Sequence, residues 1–193
     1  MEQLLEKSYV NDTFVFYSTA FFIASNYEAL LMMAKFAHKN NKLFGFNFAA
    51  EFIYKYYKDQ TFEMIEYADF IFCNKLEAIA CSHWFHEELG IEYSEDETLE
   101  NLVNIANGIT GYQSKASKDN CFPLQKNRPR IMIITNSGEP VVVSIGAFRD
   151  QSQKSFTKSV LNIDKNLLVD SNSAGDSFVG GFFAKLCLIL NER

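Results

Sequence analysis

The amino-acid sequence predicts an α/β fold with a mostly parallel sheet, and three observations support this prediction. Short apolar runs alternate along the chain with longer segments whose apolar residues recur at helical spacing. The 193 residues are enough for one sizeable core. Hydrophobic residues make up 48% of the chain and aromatic residues 15%, which is typical of a packed protein. Strands that alternate with helices form right-handed βαβ units, so we expect a single domain over residues 1–193.

The strands and helices follow in order from these patterns. Ser25 and Glu28 have the spacing of a capping box at the start of the first helix. A turn at 137–140 separates the last two of the five predicted strands. Apolar runs predict strands at 14–17, 43–48, 70–73, 131–134 and 141–145. Helical spacing predicts helices at about 25–39, 49–66, 76–89, 98–109 and from 175 to the end.

Charge, cysteine content and the N-terminal segment limit the possible classes of protein. The net charge of -6 argues against a general nucleic-acid binder. The four cysteines lie far apart, as expected of free thiols in a reducing compartment. The first residues lack a basic start followed by an apolar run, so we expect no secretory signal there, and the apolar run 14–24 is too short to span a bilayer. We therefore expect a cytoplasmic protein that binds neither nucleic acid nor membranes. Separately, the polar segment 112–129 is predicted to be a mobile loop.

Polar residues that close or follow the predicted strands mark one rim of the sheet. In parallel α/β sheets, ligands bind beyond the carboxyl ends of the strands. Four such residues are expected to cluster there: Asn47, Asn74, Thr135 and Asp170.

The segment VDSNSAGDSFVGGFFAKL, residues 169–186, carries the strongest signal for chemistry. A hydrophobic strand end at 167–169 leads into a polar turn that delivers Asp176 onto the first turn of an apolar helix. The free N–H groups and the dipole at a helix start favour an anion, and a carboxylate beside it is placed to act as a base in phosphoryl transfer. The alternative is that Asn172 or Ser173 caps the helix while Asp176 complements its dipole.

Two shorter motifs also allow two interpretations. Asn74 and Glu77 share a helix face, which suits Mg²⁺ with its water shell, but Asn often caps helices and Glu often occupies first turns. The segment from Thr135 to Gly138 follows a strand and is either a ligand contact or a plain hairpin turn.

These motifs together resemble those of the ribokinase-like sugar and nucleoside kinases. Residues 169–186 are similar to the signature D-T-x-G-A-G-D, above all in its adenosine kinase version, and further agreement lies at 44–59, 67–78 and 131–140. The resemblance implies a ribokinase-like three-layer α/β/α fold. It also implies that the chain is incomplete, because that family has additional N-terminal strands, a Gly-Gly substrate region and a lid domain.

The resemblance assigns expected roles to individual residues. Asp176 matches the catalytic base that takes the proton from the 5′-hydroxyl of adenosine. Asn74 and Glu77 match a motif associated with Mg²⁺, held through water. The backbone anion hole for the transferring phosphoryl group corresponds to Ser173, Ala174 and Gly175. Residues expected to contact the co-substrate ATP are Asn47, Thr135, Asn136 and Gly138.

Two serines depart from the family pattern. Ser173 replaces the first glycine of the signature, and Ser137 stands where the T-x-G segment usually has glycine. If the position of Ser173 requires a positive φ, serine costs on the order of 1 kcal/mol or more there.

Two hypotheses for function follow from the resemblance. The first is an adenosine kinase-like phosphotransferase of purine salvage that makes AMP from ATP and adenosine, with weak or no activity in this shortened form. The second is a catalytically degenerate, kinase-derived domain that serves as a structural component of a larger assembly. A third possibility is that another chain supplies the missing half, as a protein partner that covers the sheet edge left open by the missing strands.

Overall fold

A six-stranded sheet forms the centre of the computed structural model, which describes residues 8–113, 128–161, 164, 166 and 169–191. The strands lie in the sheet in their order along the chain, from β1 to β6. Their bounds are Val15–Thr19 (β1), Leu43–Asn47 (β2), Phe70–Asn74 (β3), Ile131–Asn136 (β4), Glu139–Ile145 (β5) and Lys154–Lys158 (β6).

Seven helices accompany the sheet in the described part of the chain. Their bounds are Ser8–Asp12 (α1), Phe21–Lys39 (α2), Glu51–Tyr56 (α3), Lys58–Tyr67 (α4), Lys75–Leu89 (α5), Leu99–Gly111 (α6) and Ala174–Asn191 (α7). The predicted helix over 49–66 is thus two helices, which meet at Tyr57, where the backbone leaves helical geometry (φ -132, ψ 42).

The first four strands are parallel, and helices connect them. The next two strands are antiparallel: β5 returns along β4 through a tight turn, and β6 returns along β5. The mostly parallel α/β sheet predicted from the sequence is therefore confirmed. The sequence did not predict β6, because four of its five residues KSFTK are polar and all five are exposed.

The sheet separates two hydrophobic clusters of unequal size. Side chains on one face pack against helices α2 to α6, and this larger cluster contains the fully buried Phe44, Phe46 and Tyr54. The opposite face carries Leu43, Phe70, Phe72, Ile133 and Val141, which pack against α7. Helices thus cover both faces of the sheet, which gives the expected three layers.

The start of the first long helix differs from the prediction. No capping box joins Ser25 and Glu28; instead α2 begins at Phe21 and is kinked at Asn26 (φ -161, ψ 78). The Asn26 side chain accepts a hydrogen bond from the backbone N–H of Ala29 at 3.0 Å. Asn26 therefore caps the second part of the helix, because its amide oxygen lies where an N-cap acceptor is needed.

Several predicted features lie wholly or partly outside the described residues. Most of the expected mobile loop, at 114–127, and the strand end at 167–168 belong to this part. Where the chain resumes, Arg128 donates from Nε to Asp69 Oδ1 at 2.9 Å and so ties this segment to the start of β3. None of the helices in the described ranges is long and apolar enough to cross a membrane.

Candidate functional site

A small pocket of about 60 Å³ opens where β2, β3 and β4 end and α7 begins. This is the rim at which the sequence predicted a site, because parallel strands present their carboxyl ends to one side. The residues that line it are Asn47, Phe72, Cys73, Asn74, Glu77, Thr135, Gly175, Phe178 and Val179.

The structure brings five of the expected site residues to this pocket and places the others around it. The five are Asn47, Asn74, Glu77, Thr135 and Gly175. Ser173, Ala174 and Asp176 are exposed at the start of α7, next to Gly175. Asn136 and Gly138 belong to the β4–β5 hairpin and do not line the pocket: Asn136 is buried, and Gly138 is exposed in the turn.

Asp170 also lies outside the pocket, although it was expected on the same rim. Its carboxylate accepts the backbone N–H of Asn172 at 2.9 Å and the side-chain amide of that residue at 3.2 Å. These bonds are typical of an Asx turn. Asp170 therefore shapes the turn that leads into α7.

Asn74 and Glu77 form a capping box at the start of α5. The Asn74 side chain accepts the backbone N–H of Glu77 at 2.8 Å, and Glu77 Oε2 accepts the backbone N–H of Asn74 at 2.9 Å. Burial raises the pKa of Glu77 to about 7, and the bond from the Asn74 backbone opposes this only in part. One carboxylate oxygen is thus used by the helix, and the group as a whole has lost much of its hydration.

The turn before α7 places main-chain donors beside the pocket. The N–H of Ala174 donates to the carbonyl of Ser171 at 3.2 Å, and the carbonyl of Ser173 accepts from Ser177 N–H at 2.9 Å. Within the described residues, no backbone carbonyl accepts from the N–H groups of Gly175 and Asp176. The N–H groups of Gly175 and Asp176 are therefore available to an anion, and Gly175 is one of the three residues at which the sequence predicted an anion site.

Both serines that depart from the family pattern occupy left-handed backbone. Ser173 has φ 58 and Ser137 has φ 53, a region that favours glycine. Ser173 therefore has the positive φ at which serine was expected to be costly. The expected anion site therefore contains a strained residue.

Two buried groups near the pocket were not singled out from the sequence. Cys73 is one of the residues that line the pocket, and burial of its thiol, with a smaller effect of the Glu77 carboxylate, raises its pKa well above the usual value. Tyr17 on β1 has a buried hydroxyl near the side chain of Asn47, which lines the pocket. In the sequence both residues belong to apolar strand runs, where an ordinary core residue is expected.

The sequence pattern of the pfkB family of carbohydrate kinases matches residues 1–188. The chain belongs to this family. It is 30% identical to Adenosine kinase 2 of Arabidopsis thaliana over 171 residues, which are 89% of this chain and 42% of that protein. In sequence and fold it is therefore adenosine kinase-like.

Solved structures give the same result for the fold. The adenosine kinase of Anopheles gambiae, in complex with P1,P4-di(adenosine-5) tetraphosphate, superposes with a TM-score of 0.77 at 29% identity, covering 100% of this chain and 50% of that one. The adenosine kinase of Schistosoma mansoni, in complex with adenosine, superposes with a TM-score of 0.73 at 27% identity. This match covers 95% of this chain and 48% of that one. The chain thus spans about half the length of the kinases it matches.

Proposed function

We propose that this chain carries the phosphoryl-transfer part of an ATP-dependent adenosine kinase, which transfers the γ-phosphate of ATP to the 5′-hydroxyl of adenosine. The observation that carries the proposal is the meeting of three elements at one pocket: two available main-chain N–H groups, the Asp176 carboxylate beside them, and the Asn74–Glu77 pair across from them. The related enzymes solved with adenosine and with a dinucleoside tetraphosphate support adenosine and ATP as the substrates.

Asp176 is the proposed catalytic base. It is exposed at the first turn of α7, so it can reach a hydroxyl that approaches the pocket from solvent. The neighbouring N–H groups of Gly175 and Asp176 would stabilise the negative charge on the transferring phosphoryl group. The turn at Ser173 and Ala174 would hold these two donors in place. Asn47 and Thr135 would contact ATP at the pocket wall, and Asn136 and Gly138 would do so from the adjacent hairpin.

A hydrated Mg²⁺ fits the donors around the pocket. Among the described residues no three His, Cys, Asp or Glu side chains converge on one point, which would be needed for an all-protein cage. Mg²⁺ in phosphoryl-transfer sites is typically held by one or two carboxylates, waters and the substrate phosphates. Asn74 and Glu77 would therefore hold the ion through water, and the ion would offset negative charge on the phosphates.

The reaction is tested with purified protein in a coupled assay for adenosine-dependent consumption of ATP, with Mg²⁺ present. We expect weak turnover that Asp176→Asn abolishes, while ATP still raises the melting temperature of that variant. Retained turnover in Asp176→Asn would contradict the assignment of the base. The thiols of Cys73 and Cys81 are free, as in proteins of a reducing compartment, so we place this reaction in the cytoplasm. Because the reaction would convert adenosine to AMP, we assign it to purine salvage.

The second candidate is a kinase-derived domain without catalysis that works inside a larger assembly. The left-handed serine at the anion site favours it, since strain there distorts the donors that catalysis needs. The outer edge of β1 has no neighbouring strand in the described residues, and a partner chain would pair there. No turnover together with no ATP-induced thermal shift would favour this candidate over the enzyme.

A further inference from the structure

The hydroxyl of Tyr17 is a buried polar group that forms no hydrogen bond of normal geometry among the described residues. Buried hydroxyls normally have a partner, because leaving one unsatisfied is costly. An unsatisfied hydroxyl beside a residue of the candidate pocket therefore calls for an explanation.

The register of the sheet places Tyr17 beside the pocket residue Asn47. Tyr17 pairs with Gly45 and Thr19 with Asn47, so Tyr17 and Asn47 lie on the same face of the sheet, two register positions apart. Asn47 in turn pairs with Phe72, whose ring centroid lies 6.4 Å from that of Tyr17. The Tyr17 ring thus runs across β2 towards the pocket wall.

Gly45 and α7 hold this ring in place. A Cβ atom at Gly45 would lie 3.3 Å from Tyr17 Cδ2 and 2.5 Å from Cζ of Phe183, so only glycine leaves room for both rings. Phe183 meets Tyr17 edge-on, with ring centroids 5.9 Å apart. The hydroxyl is therefore held at a fixed point by packing.

The charges around this point favour a neutral hydroxyl. Burial raises the pKa of Tyr17, a weak hydrogen-bonding interaction with the Asn47 side chain lowers it, and the Asp176 and Glu77 carboxylates raise it further. The hydroxyl remains protonated at neutral pH and can act as a donor. Both carboxylates that flank the pocket are close enough to act on it.

We propose that Tyr17 is a positioning residue for the phosphate pocket: its hydroxyl hydrogen-bonds the Asn47 side-chain amide and directs that amide towards a bound phosphate group. This inference rests on the proposed function, because it assumes that ATP occupies the pocket. Tyr17 does not line the pocket, so it acts through Asn47 and not by touching the ligand. Binding of ATP would complete the hydrogen bond that the free hydroxyl lacks.

The test is a double-mutant cycle on the affinity for ATP with Mg²⁺, measured by calorimetry. Tyr17→Phe removes the hydroxyl and keeps the ring. Tyr54→Phe is the matched control, because its hydroxyl is also buried without a partner but lies in the other hydrophobic cluster. We expect Tyr17→Phe to weaken ATP binding about fivefold to tenfold, the effect of one neutral hydrogen bond, and Tyr54→Phe to change it less than about twofold. In an Asn47→Ala background, Tyr17→Phe should have no further effect.

Two results would overturn the inference while leaving the proposed function intact. One is a Tyr17→Phe protein that binds ATP as tightly as the wild type. The other is a Tyr17→Phe substitution that weakens ATP binding by the same factor in the wild type and in the Asn47→Ala background, which would indicate a general packing effect. A wild-type protein that does not bind ATP would contradict the proposed function, and this inference with it. Cooperative melting of every variant confirms that the comparison is made between folded proteins.

Discussion

Single residues determine how well the start of α7 can hold an anion. Ser173 has φ 58 immediately before the helix and the two available N–H groups. Left-handed backbone costs a residue with a Cβ roughly 1–2 kcal/mol, and glycine avoids this cost. The strain at Ser173 is therefore a local cost at the point where the proposed chemistry needs the most accurate geometry.

We expect Ser173→Gly to raise the free energy of unfolding by about 0.5–1 kcal/mol, since relief of the strain exceeds the extra entropy of glycine in the unfolded chain. It should also tighten ATP binding. Ser177→Gly is the matched control; it lies inside the same helix and should destabilise by about 0.5–1 kcal/mol. Denaturant unfolding measures both, and a destabilised Ser173→Gly protein would contradict the strain argument.

Glu77 gives the protein a pH dependence of stability. Its pKa is about 7 in the folded protein, above the usual 4.5, so between these values the folded state binds more protons than the unfolded state. Stability from this group is therefore fully present below about pH 4.5, is lost as the pH rises towards 7, and stays constant above that.

Glu77→Gln should remove this dependence, because a neutral amide can keep the capping box without the buried charge. We expect the stability of the variant relative to the wild type to grow from pH 5 to pH 8 by on the order of 1 kcal/mol, a value reduced for the partial exposure of the group. Chemical denaturation at several pH values measures this difference. A difference that is constant with pH would show that Glu77 titrates normally.

At the scale of secondary-structure elements, the contact between β2 and α7 depends on Gly45. Four rings, Tyr17, Phe70, Phe72 and Phe183, meet around this glycine with centroids 5.4–6.4 Å apart. Because a Cβ atom at Gly45 would lie 2.5 Å from Phe183, a side chain there must displace the helix or the ring. The helix that carries Asp176 is thus positioned through an aromatic cluster on β1, β2 and β3.

Gly45→Ala should destabilise the protein by about 1–3 kcal/mol through overpacking, and should weaken ATP binding because α7 shifts. Gly180→Ala on α7 is the matched control. A Cβ there meets no atom within 4 Å, so the change should stabilise the helix by about 0.5–1 kcal/mol. We expect Gly45→Ala to lower the melting temperature and Gly180→Ala to raise it. If Gly45→Ala melts at the same temperature as the wild type, the packing argument is wrong.

The sequence predicted elements and motifs whose signal is local. Apolar runs revealed β1 to β5, and the spacing of Asn74 and Glu77 indicated a shared helix face. β6 escaped prediction because a polar edge strand is defined by its pairing with β5 and not by burial. The position of Tyr17 relative to Asn47 was also unpredictable, because it depends on the register between two strands. The position of Asn26 as a cap depended on where the helix kinks, which neighbouring packing decides.

At the scale of the whole molecule, the two faces of the sheet are unequally protected. Five of the helices pack into the larger cluster on one face, whereas α7 alone covers the other in the described residues. On α7 the side chains of Leu188 and Ile189 are 59% and 41% exposed. Regions with few buried apolar contacts open at lower free energy than the rest of a protein.

We therefore expect backbone amides of α7 to exchange with deuterium sooner than those of β2 and β3, as measured by mass spectrometry of peptides under native conditions. MgATP should slow the exchange at the start of α7 if it binds there, and leave α2 unchanged. Equal protection of α7 and the central strands would indicate that the molecule opens as one unit.

Cys73, which lines the pocket, and Cys81 are buried free thiols of the larger hydrophobic cluster, and burial keeps both in the protonated, unreactive form. An alkylating reagent can modify them only while the surrounding packing is transiently broken. The rate at which Cys73 is labelled would thus measure how often this region opens. A compound that occupies the adjoining pocket would slow the labelling, so binding could be detected without an enzymatic assay.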